Sequence, residues 1–579
     1  MSVPTSNADE TLITVGQNDA LFIGNFHKTL PHNEYGEVVP AAYHAFRQTC
    51  LDIEAGSPIN FEMILQGLNT YPQSPFAQGA DADAIKSGAK FTSPLAGAAT
   101  EKHGPDPKIL EMPPAPGILS LSTAAEMVEL YWMALLRDKP LELFATADSD
   151  VQAAVNDIEK AFSAATDPSK GDQSPGRLKL TLDLPQKGGA IHIMPETLFR
   201  CGLRDEEIGP LVSQFFIRDI PYGVQTIDQR LTPYVREKNF LTNQDDWLLA
   251  QNTGKDKWGR DYGSCNNYAD QVAGRETYYP QVKRYISTMR DLARFVNRDA
   301  LHQAYFNAAL FLDAIGAPLD SGNPYNGVYS REGGFATLGG PDLLTLVSEV
   351  ASRALKVVWR QKWLVHRRAR PEVYGGLLEM QMEKGRMYGL PDLVSNSDAA
   401  KRIKTSCQGT YFLPMAFSAG SPAHPAYGAG HATVAGACVT VLKAWFDEDA
   451  KLGKVICEAQ IKSKEPGAIK YLLKPGQQDS KDLEVFSDPE EYCDSDPAAM
   501  NMTVGGELNK IASNVAMGRS MGGVHWRSDN TRSLRLGEKI AIEILRKRTM
   551  EYAERPVSFT FHAFDQHTVQ ISQGQVIEY

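Results

Sequence analysis

Two histidines, His424 and His431, flank a glycine-rich turn in the stretch SPAHPAYGAGHATVAGA, residues 421–437. The residues between them cannot form regular helix, whereas a helix is predicted over 431–447. The first turn of a helix offers unpaired N–H groups and partial positive charge, so it favours an oxyanion. The small residues at 428–430 allow a ligand to approach the backbone closely, and His431 adds a proton donor and acceptor.

A second segment, VVWRQKWLVHRRARPEVYGG, places Lys362 and Arg370 eight residues apart, on roughly one face of a predicted helix. Pro371 then ends or kinks that helix. The tryptophans of the segment predict burial, and a buried Lys or Arg requires an anionic partner. Arg367 and Arg368 are expected to belong to a solvated face.

A third segment, ASNVAMGRSMGGVHWRSDN, contains Arg519, His525 and Asp529. Asp529 lies four residues after His525, so it can accept a hydrogen bond from one ring nitrogen and leave the other free as a ligand or nucleophile. The three segments together predict a site for a tetrahedral or trigonal-bipyramidal oxyanion such as phosphate or vanadate. We call this set the oxyanion cage: Lys362, Arg370, Gly430, His431, Arg519 and His525.

The elements that must position this cage are predicted to be mostly helical, which indicates a mainly α fold with small β accessories. Strict alternation in RLKLTLDLP predicts a strand over 177–185, and VSFTFHAFDQHTVQIS predicts a hairpin near the C-terminus. Helices are predicted over 122–138, 280–315, 341–370, 377–388, 431–447, 505–522 and 530–553.

Composition is that of an ordinary globular protein, with 42% hydrophobic and 22% charged residues in 579. The net charge of −11 disfavours non-specific binding to nucleic acid or to anionic membranes. We see no secretory signal and no run of about 18 apolar residues, so we expect a soluble protein, cytoplasmic by default. Seven scattered cysteines without a CxxC motif indicate mostly free thiols and neither zinc nor c-type haem.

At these residues the sequence resembles the vanadium-dependent haloperoxidases, within a superfamily that also contains acid phosphatases. The superfamily pattern is K-x6-RP, then PSGH, then SR-x5-H-x3-D. The first spacing has one extra residue here, as in the bromoperoxidases of red algae and cyanobacteria, and stretches such as VSQFFIRDIPYGVQTIDQ resemble that group over most of the chain from about residue 120 onward. The matching positions are Lys362 with Arg370-Pro371, Gly430-His431, and Arg519 with His525 and Asp529.

The resemblance implies that vanadate is the cofactor and that His525 is the vanadium ligand. It also implies that His431 is the general base for hydrogen peroxide and that Lys362 polarises the bound peroxide. His424 would take the place of the non-ligand histidine typical of bromoperoxidases. Like Asp529, it would lie next to the cofactor-binding residues without binding the cofactor itself. The other cofactor-binding positions would be Lys362, Arg370, Ala429, Gly430, His431 and Arg519.

Two departures from the family pattern affect these expectations. Ala429 stands where the family has the serine of PSGH, so one polar contact worth about 1 kcal/mol or somewhat more is missing. Together with His424, this favours bromide or iodide over chloride as the halide. The segment 319–335 lacks the acidic pair expected of a calcium site, which disfavours calcium.

The fold that the resemblance implies is a large helical domain built around two four-helix bundles. Residues 1–300 would form an N-terminal half with irregular segments and subunit contacts, and residues 301–579 a C-terminal half that carries the vanadate site, within one contiguous fold. The implied partners are hydrogen peroxide, halide and a small organic nucleophile, with no nucleic acid and no membrane. A homo-oligomer, either a dimer or a dodecamer, is expected.

Two alternatives remain open from the sequence. In an acid phosphatase the same cage would bind a phosphoryl group, with His525 as the nucleophile and His431 as the acid for the leaving group. A catalytically inactive oxyanion-binding protein is the second alternative, and Ala429 is its only support.

Overall fold

Helices make up most of the regular structure in the computed structural model, which confirms the predicted mainly α class. The structure describes residues 13–15, 19–56, 88–146, 148–170, 172, 174, 176–264, 279, 282–326, 331–462, 472–492, 496–554 and 556–579. Its helices are α1 Pro40–Glu54, α2 Leu121–Leu135, α3 Ser149–Thr166, α4 Leu180–Asp183, α5 Gln244–Thr253, α6 Met289–Arg298, α7 Gln303–Ala314, α8 Gly340–Arg360, α9 Pro371–Glu383, α10 Asp392–Ser395, α11 Asp398–Ser406, α12 Gly430–Trp445, α13 Leu452–Lys462, α14 Pro497–Asn501, α15 Val504–Met521 and α16 Arg527–Glu551.

The strands are short and form antiparallel accessories. Among the described residues the strands are β1 Ile13–Val15, β2 Asp19–Leu21, β3 Gln186–Lys187, β4 Ala190–Ile191, β5 Ile220–Tyr222, β6 Gln225–Ile227, β7 Leu473–Lys474, β8 Glu490–Glu491, β9 Ser558–His562, β10 Thr568–Ser572 and β11 Gln575–Glu578. Within this part of the chain, four two-stranded ribbons pair β1 with β2, β3 with β4, β5 with β6 and β7 with β8, and one three-stranded sheet has the order β11-β10-β9. The C-terminal hairpin agrees with the sequence prediction, with Thr568 opposite His562.

Helix α12 lies at the centre of a bundle and packs against α8, α15 and α16. Two glycines set how closely α12 and α16 approach. A Cβ at Gly436 would lie 2.0 Å from the carbonyl oxygen of Leu534, and one at Gly537 would lie 2.0 Å from that of Thr433. Side chains are therefore excluded at both positions, because the two backbones are in direct contact.

Helix α12 is mostly apolar and is buried on all sides, as expected for a helix enclosed by others. Every residue of α12 is buried except His431, whose side chain is 20% exposed. His431 is thus the point at which this central helix can be reached from outside the core.

Two stretches predicted as continuous helices are interrupted. Residues 280–315 contain α6 and α7, separated by a break. In 341–370, α8 is followed by a π-helix over Gln361–His366, in which the N–H of Arg367 donates to the carbonyl of Lys362 (3.0 Å), five residues earlier. Arg367 has φ 48°, and Arg370 is the N-cap of α9. The prediction that Lys362 and Arg370 share one helix face is therefore wrong.

The strand predicted over 177–185 is also wrong, because residues 180–183 form the short helix α4. The carboxylate of Asp183 accepts from the N–H of Lys179 (3.1 Å) and forms an ion pair with Arg532 (2.8 Å). These contacts draw Asp183 into the core and bend the chain, although the alternating pattern favours an extended segment.

Residues 22–32 form a buried segment that we call the N-terminal strap. The N–H of Phe26 donates to the carbonyl of Arg367 (2.6 Å), and the N–H of Ala369 donates to that of Gly24 (2.9 Å). The strap therefore holds the extended segment between the π-helix and α9. No helix among the described residues is both long and apolar enough to cross a lipid bilayer.

Candidate active site

Lys362 lies in the π-helix, and its side chain is fully buried. Its Nζ donates to the carbonyl oxygens of Pro425 (2.8 Å) and Ala426 (3.2 Å) and lies 5.7 Å from the centre of the Trp359 ring. These acceptors are neutral, so they fix the ammonium without cancelling its charge. Burial, followed by the charge of Arg370, keeps the pKa of Lys362 well below its ordinary value.

The guanidinium of Arg370 is buried and connects two histidines. Its Nη1 donates to the carbonyl of Val524 (2.6 Å) and lies 3.0 Å from Nε2 of His525. Its Nε donates to the carbonyl of His424 (2.9 Å), and its Nη2 lies 2.8 Å from Nδ1 of the same residue. Burial, followed by the charge of Arg519, lowers the pKa of Arg370 to about 9.

Arg519 lies in the last turn of α15, and its side chain is buried. Its Nη1 donates to the carbonyl of Val296 (2.7 Å), and its guanidinium carbon lies 5.7 Å from the centre of the Tyr262 ring. Its Nε is buried and has no hydrogen-bond partner within the described part of the chain. Because an unpaired buried N–H costs about 1–3 kcal/mol, this atom is suited to donate to a ligand.

His525 follows α15, and Asp529 lies in the first turn of α16. Oδ2 of Asp529 lies 2.9 Å from Nδ1 of His525 and accepts from the N–H of Trp526 (3.0 Å). An ionised carboxylate only accepts, so Nδ1 carries the proton and Nε2 presents its lone pair. Burial, followed by the charges of Arg370 and Lys362, keeps the pKa of His525 well below its ordinary value. The imidazole is therefore neutral at neutral pH, as a ligand must be.

His431 pairs with a carboxylate that the sequence analysis did not find. Its Nε2 lies 3.1 Å from Oδ1 of Asp299, the C-cap residue of α6. Burial lowers the pKa of His431, and the charge of Asp299 partly opposes that shift. With the proton on Nε2, Nδ1 is the nitrogen able to accept another. The N–H groups of Gly430 and His431 lie in the first turn of α12, where the helix itself provides no acceptor.

Ala429 is the N-cap of α12, and its side chain provides no capping hydrogen bond. Its N–H donates to Oγ of Ser533 (2.8 Å), and its carbonyl accepts from Oγ1 of Thr433 (2.9 Å). Ser533 of α16 thus holds the turn in place, although no local motif marked it as part of the site.

Trp359 joins the separate parts of the site. Its ring centre lies 5.3 Å from that of His424, and its Nε1 donates to the carbonyl of Thr92 (3.1 Å). A Cβ at Gly430 would lie 3.2 Å from the indole, so glycine at 430 allows Trp359 to lie against the start of α12.

Burial, followed by the charge of Lys362, lowers the pKa of His424 well below its ordinary value.

Arg367 and Arg368 are both 2% exposed, which corrects the prediction that they face solvent. Nη1 of Arg367 donates to two carbonyl oxygens of the π-helix (3.1 and 2.9 Å). The guanidinium of Arg368 lies between the carboxylates of Asp529 (2.8 Å) and Glu126 (3.0 Å). These pairs cannot be predicted from the sequence, because Glu126 lies more than 200 residues from Arg368 and no local pattern indicates the contact.

The structure brings the predicted residues of all three segments together around one set of buried cations. These cations donate to carbonyl groups and lie next to histidines, and none of them forms an ion pair with a carboxylate within the described residues. Burial, followed by the charge of a neighbouring arginine, lowers the pKa values of Lys362 and Arg370, so an anion bound between these cations would oppose both shifts. The arrangement is suited to an oxyanion that also accepts coordination by Nε2 of His525.

No cluster of three or more His, Cys, Asp or Glu side chains suited to a metal ion occurs among the described residues. Residues 327–330, within the segment considered for calcium, lie outside them, as do Cys265 and Cys493. The cysteines that the structure describes are free thiols: Cys50, Cys201, Cys407, Cys438 and Cys457.

Comparison of the sequence with known proteins agrees with the resemblance found in the motifs. Residues 343–554 match the family model described as the VCPO second helical-bundle domain. The vanadium-dependent bromoperoxidase of Corallina pilulifera is 31% identical over 96% of this chain and 92% of its own length. The one from Ascophyllum nodosum is 29% identical over 97% of this chain and 89% of its own length.

A solved structure has a similar fold. It is the homohexameric structure of the second vanadate-dependent bromoperoxidase from Ascophyllum nodosum, which has 27% sequence identity and a TM-score of 0.74. The match covers 96% of this chain and 87% of the other. The likeness therefore includes both the N-terminal part of the chain and the helical bundle that carries the cage.

Proposed function

The chain belongs to the vanadium-dependent bromoperoxidase family, and we propose that its oxyanion cage binds vanadate and that the enzyme oxidises bromide or iodide with hydrogen peroxide. The product would be hypohalous acid, which halogenates a nearby organic nucleophile. The relatives are bromoperoxidases, so the acid phosphatase alternative is not favoured. The observation that carries the proposal is the cluster of buried cations, without carboxylate partners among the described residues, beside a neutral His525.

The residues of the cage fit vanadate in number and chemical type. Lys362, Arg370 and Arg519 would bind its oxygens, together with the N–H groups at the start of α12. His525 would bind the vanadium through Nε2, because Asp529 holds the proton on Nδ1. The Nε of Arg519, which has no hydrogen-bond partner among the residues that the structure describes, also supports this proposal, since it needs an acceptor. Bound vanadate supplies a Lewis acid that activates peroxide towards halide.

The chain's own contribution to the reaction is proton transfer and orientation. We assign His431 as the general base, because it is the only residue of α12 that is not fully buried and Asp299 orients its ring. Nδ1 would accept the proton of incoming hydrogen peroxide while Nε2 stays hydrogen-bonded to Asp299. The ammonium of Lys362, fixed by two carbonyl groups, would stabilise negative charge on the peroxide oxygen.

Halide preference and assembly are further parts of the proposal. The absence of a hydroxyl at Ala429 and the presence of His424 support bromide or iodide over chloride. The solved relative from Ascophyllum nodosum is a homohexamer, which supports a homo-oligomer for this chain and does not favour the dimer or dodecamer expected from the sequence.

The test is halide oxidation by the purified protein with hydrogen peroxide and iodide, bromide or chloride in turn. The protein is first stripped of bound anion and then loaded with orthovanadate, with phosphate as the competitor. We expect activity that requires vanadate and is lost with excess phosphate. The Lys362→Met variant should lose vanadate binding, whereas Lys401→Met, at an exposed position in α11, serves as the matched control.

Cleavage of a chromogenic phosphate ester without any halide oxidation would overturn the proposal in favour of a phosphatase. Vanadate binding without turnover of any halide would instead favour the inactive oxyanion-binding protein.

A further inference from the structure

The side chain of Arg368 is 3% exposed and contacts residues from two distant helices. Its Nη1 donates to Oδ1 of Asp529 (2.8 Å) and to Oγ of Ser528 (2.9 Å). Its Nη2 donates to Oε2 of Glu126 in α2 (3.0 Å). Arg368 therefore connects α2 to the start of α16 at the residue that holds His525.

Asp529 uses its two oxygens for two different purposes. Oδ1 faces Arg368, whereas Oδ2 faces Nδ1 of His525 and the N–H of Trp526. Because the two oxygens belong to one planar group, fixing Oδ1 also fixes the direction from which Oδ2 approaches the imidazole. Arg368 and His525 therefore contact opposite oxygens of the same carboxylate.

We propose that Arg368 is a positioning residue of the vanadate site, which acts through Asp529 to fix the orientation and tautomer of His525. The inference rests on the proposed function only in naming vanadate as the ligand. It gives Arg368 a role that the motifs of the site do not contain.

The charges around Arg368 explain why a cation is needed at this point. Two buried carboxylates, Glu126 and Asp529, lie on either side of one guanidinium. Glu126 also accepts from the N–H of Ser528 (2.5 Å), so its carboxylate supports the first turn of α16 as well. Without Arg368, two buried negative charges would face each other beside His525, and Asp529 would lose the contact that holds its plane.

The neighbouring Arg367 provides a matched control. It is as deeply buried as Arg368, but its Nη1 donates to the carbonyl oxygens of Trp363 (3.1 Å) and Leu364 (2.9 Å). Replacing Arg367 removes a buried guanidinium from the same segment and leaves the pair of Asp529 with His525 intact.

The experiment compares five proteins at one fixed pH: the wild type, Arg368→Met, Arg368→Lys, Arg367→Met and the double variant Arg368→Met/Glu126→Gln. The affinity for orthovanadate, and for inorganic phosphate as a second probe, is measured by equilibrium dialysis. In the same proteins without added anion, ¹⁵N NMR of labelled histidine reports whether His525 is protonated at Nδ1, with the signal assigned by its absence in His525→Ala.

We expect Arg368→Met to weaken vanadate binding at least tenfold and to reduce the Nδ1-protonated fraction of His525. Arg368→Lys should recover most of the affinity. The double variant should recover part of it, because removal of the second carboxylate returns the local charge to its original value. A purely structural role for Arg368 predicts the opposite, since a second buried substitution would add to the damage.

Wild-type vanadate affinity in Arg368→Met, or an equal loss in Arg367→Met, would overturn the inference. If Arg368→Met does not fold, Arg368→Lys and the double variant are compared with Arg367→Met in the same way. If the wild type itself does not bind vanadate, the proposed function fails, and the tautomer of His525 still tests the role of Arg368 separately.

Discussion

Replacing Ala429 with serine should strengthen anion binding, because position 429 lies where helix α12 begins. The alanine is the N-cap and provides no side-chain acceptor to the first turn. A serine Oγ accepts from a backbone N–H of that turn and still has its own proton to donate. The hydroxyl would donate that proton to an oxyanion bound by the N–H groups of Gly430 and His431.

The two contacts of the hydroxyl have different magnitudes and different readouts. A hydrogen bond to a charged group contributes about 1.5–3 kcal/mol, which corresponds to a vanadate Kd roughly 10 to 150 times lower. An N-cap contributes about 1 kcal/mol to stability. Divided by the entropy of unfolding of a chain of this size, this gain in stability raises Tm by only about 1 °C. The change in Kd should therefore be large while the change in Tm without anion stays small.

Equilibrium dialysis with orthovanadate measures the Kd, and thermal unfolding without anion measures the capping effect. Ala429→Cys is the matched control, because its side chain has the same shape as serine but is a much weaker donor. We expect the serine variant to have a lower vanadate Kd than the wild type and the cysteine variant to have the same Kd as the wild type. Equal affinities in Ala429, Ser and Cys proteins would refute the reasoning, since the hydroxyl would then not reach the anion.

Three further predictions concern single residues around the cage. Asp299→Asn should lower the pKa of His431 further, because the carboxylate opposes the effect of burial. Since the general base must be unprotonated, the acidic limb of the pH–rate profile should move to lower pH. A move to higher pH would contradict the pairing of His431 with Asp299. Lys28→Met leaves Glu372, whose carboxylate lies 2.7 Å from Nζ of Lys28, as an uncompensated buried charge. The free energy of unfolding, measured with denaturant, should fall by about 3–5 kcal/mol. A fall below about 1 kcal/mol would show that this ion pair does not stabilise the strap. Arg370→Lys keeps one charge but loses the forked contacts to two histidines, so dialysis should show vanadate affinity at least tenfold lower, and unchanged affinity would remove Arg370 from the cage.

The helices that carry the site were predictable where the sequence pattern is local. The apolar run after residue 430 predicts α12, and the regions of α15 and α16 were found to within a few residues of their observed ends. The pairing of His525 with Asp529 was predictable as well, since a spacing of four at the start of a helix brings the two side chains together.

The segment from Lys362 to Arg370 was not predictable, because its path depends on distant parts of the chain. The strap pairs with residues 367–369 from more than 300 positions away, and it fixes a non-helical backbone where local propensity favours helix. Arg368 looked like a surface residue because its partners Glu126 and Asp529 also lie far from it in sequence, more than 150 positions away. Local sequence patterns predict which segments form helices or strands, whereas contacts between residues far apart in sequence determine where a helix ends.

The π-helix accounts for the additional residue that separates Lys362 from Arg370 in comparison with the K-x6-RP pattern. A hydrogen bond that spans five residues holds one residue more than a turn of α-helix does, and Arg367 donates to Lys362 in this way. The extra residue is thus contained in the turn that follows α8. Lys362 and Arg370 on either side of it still donate to neighbouring carbonyl groups, those of Pro425 and His424.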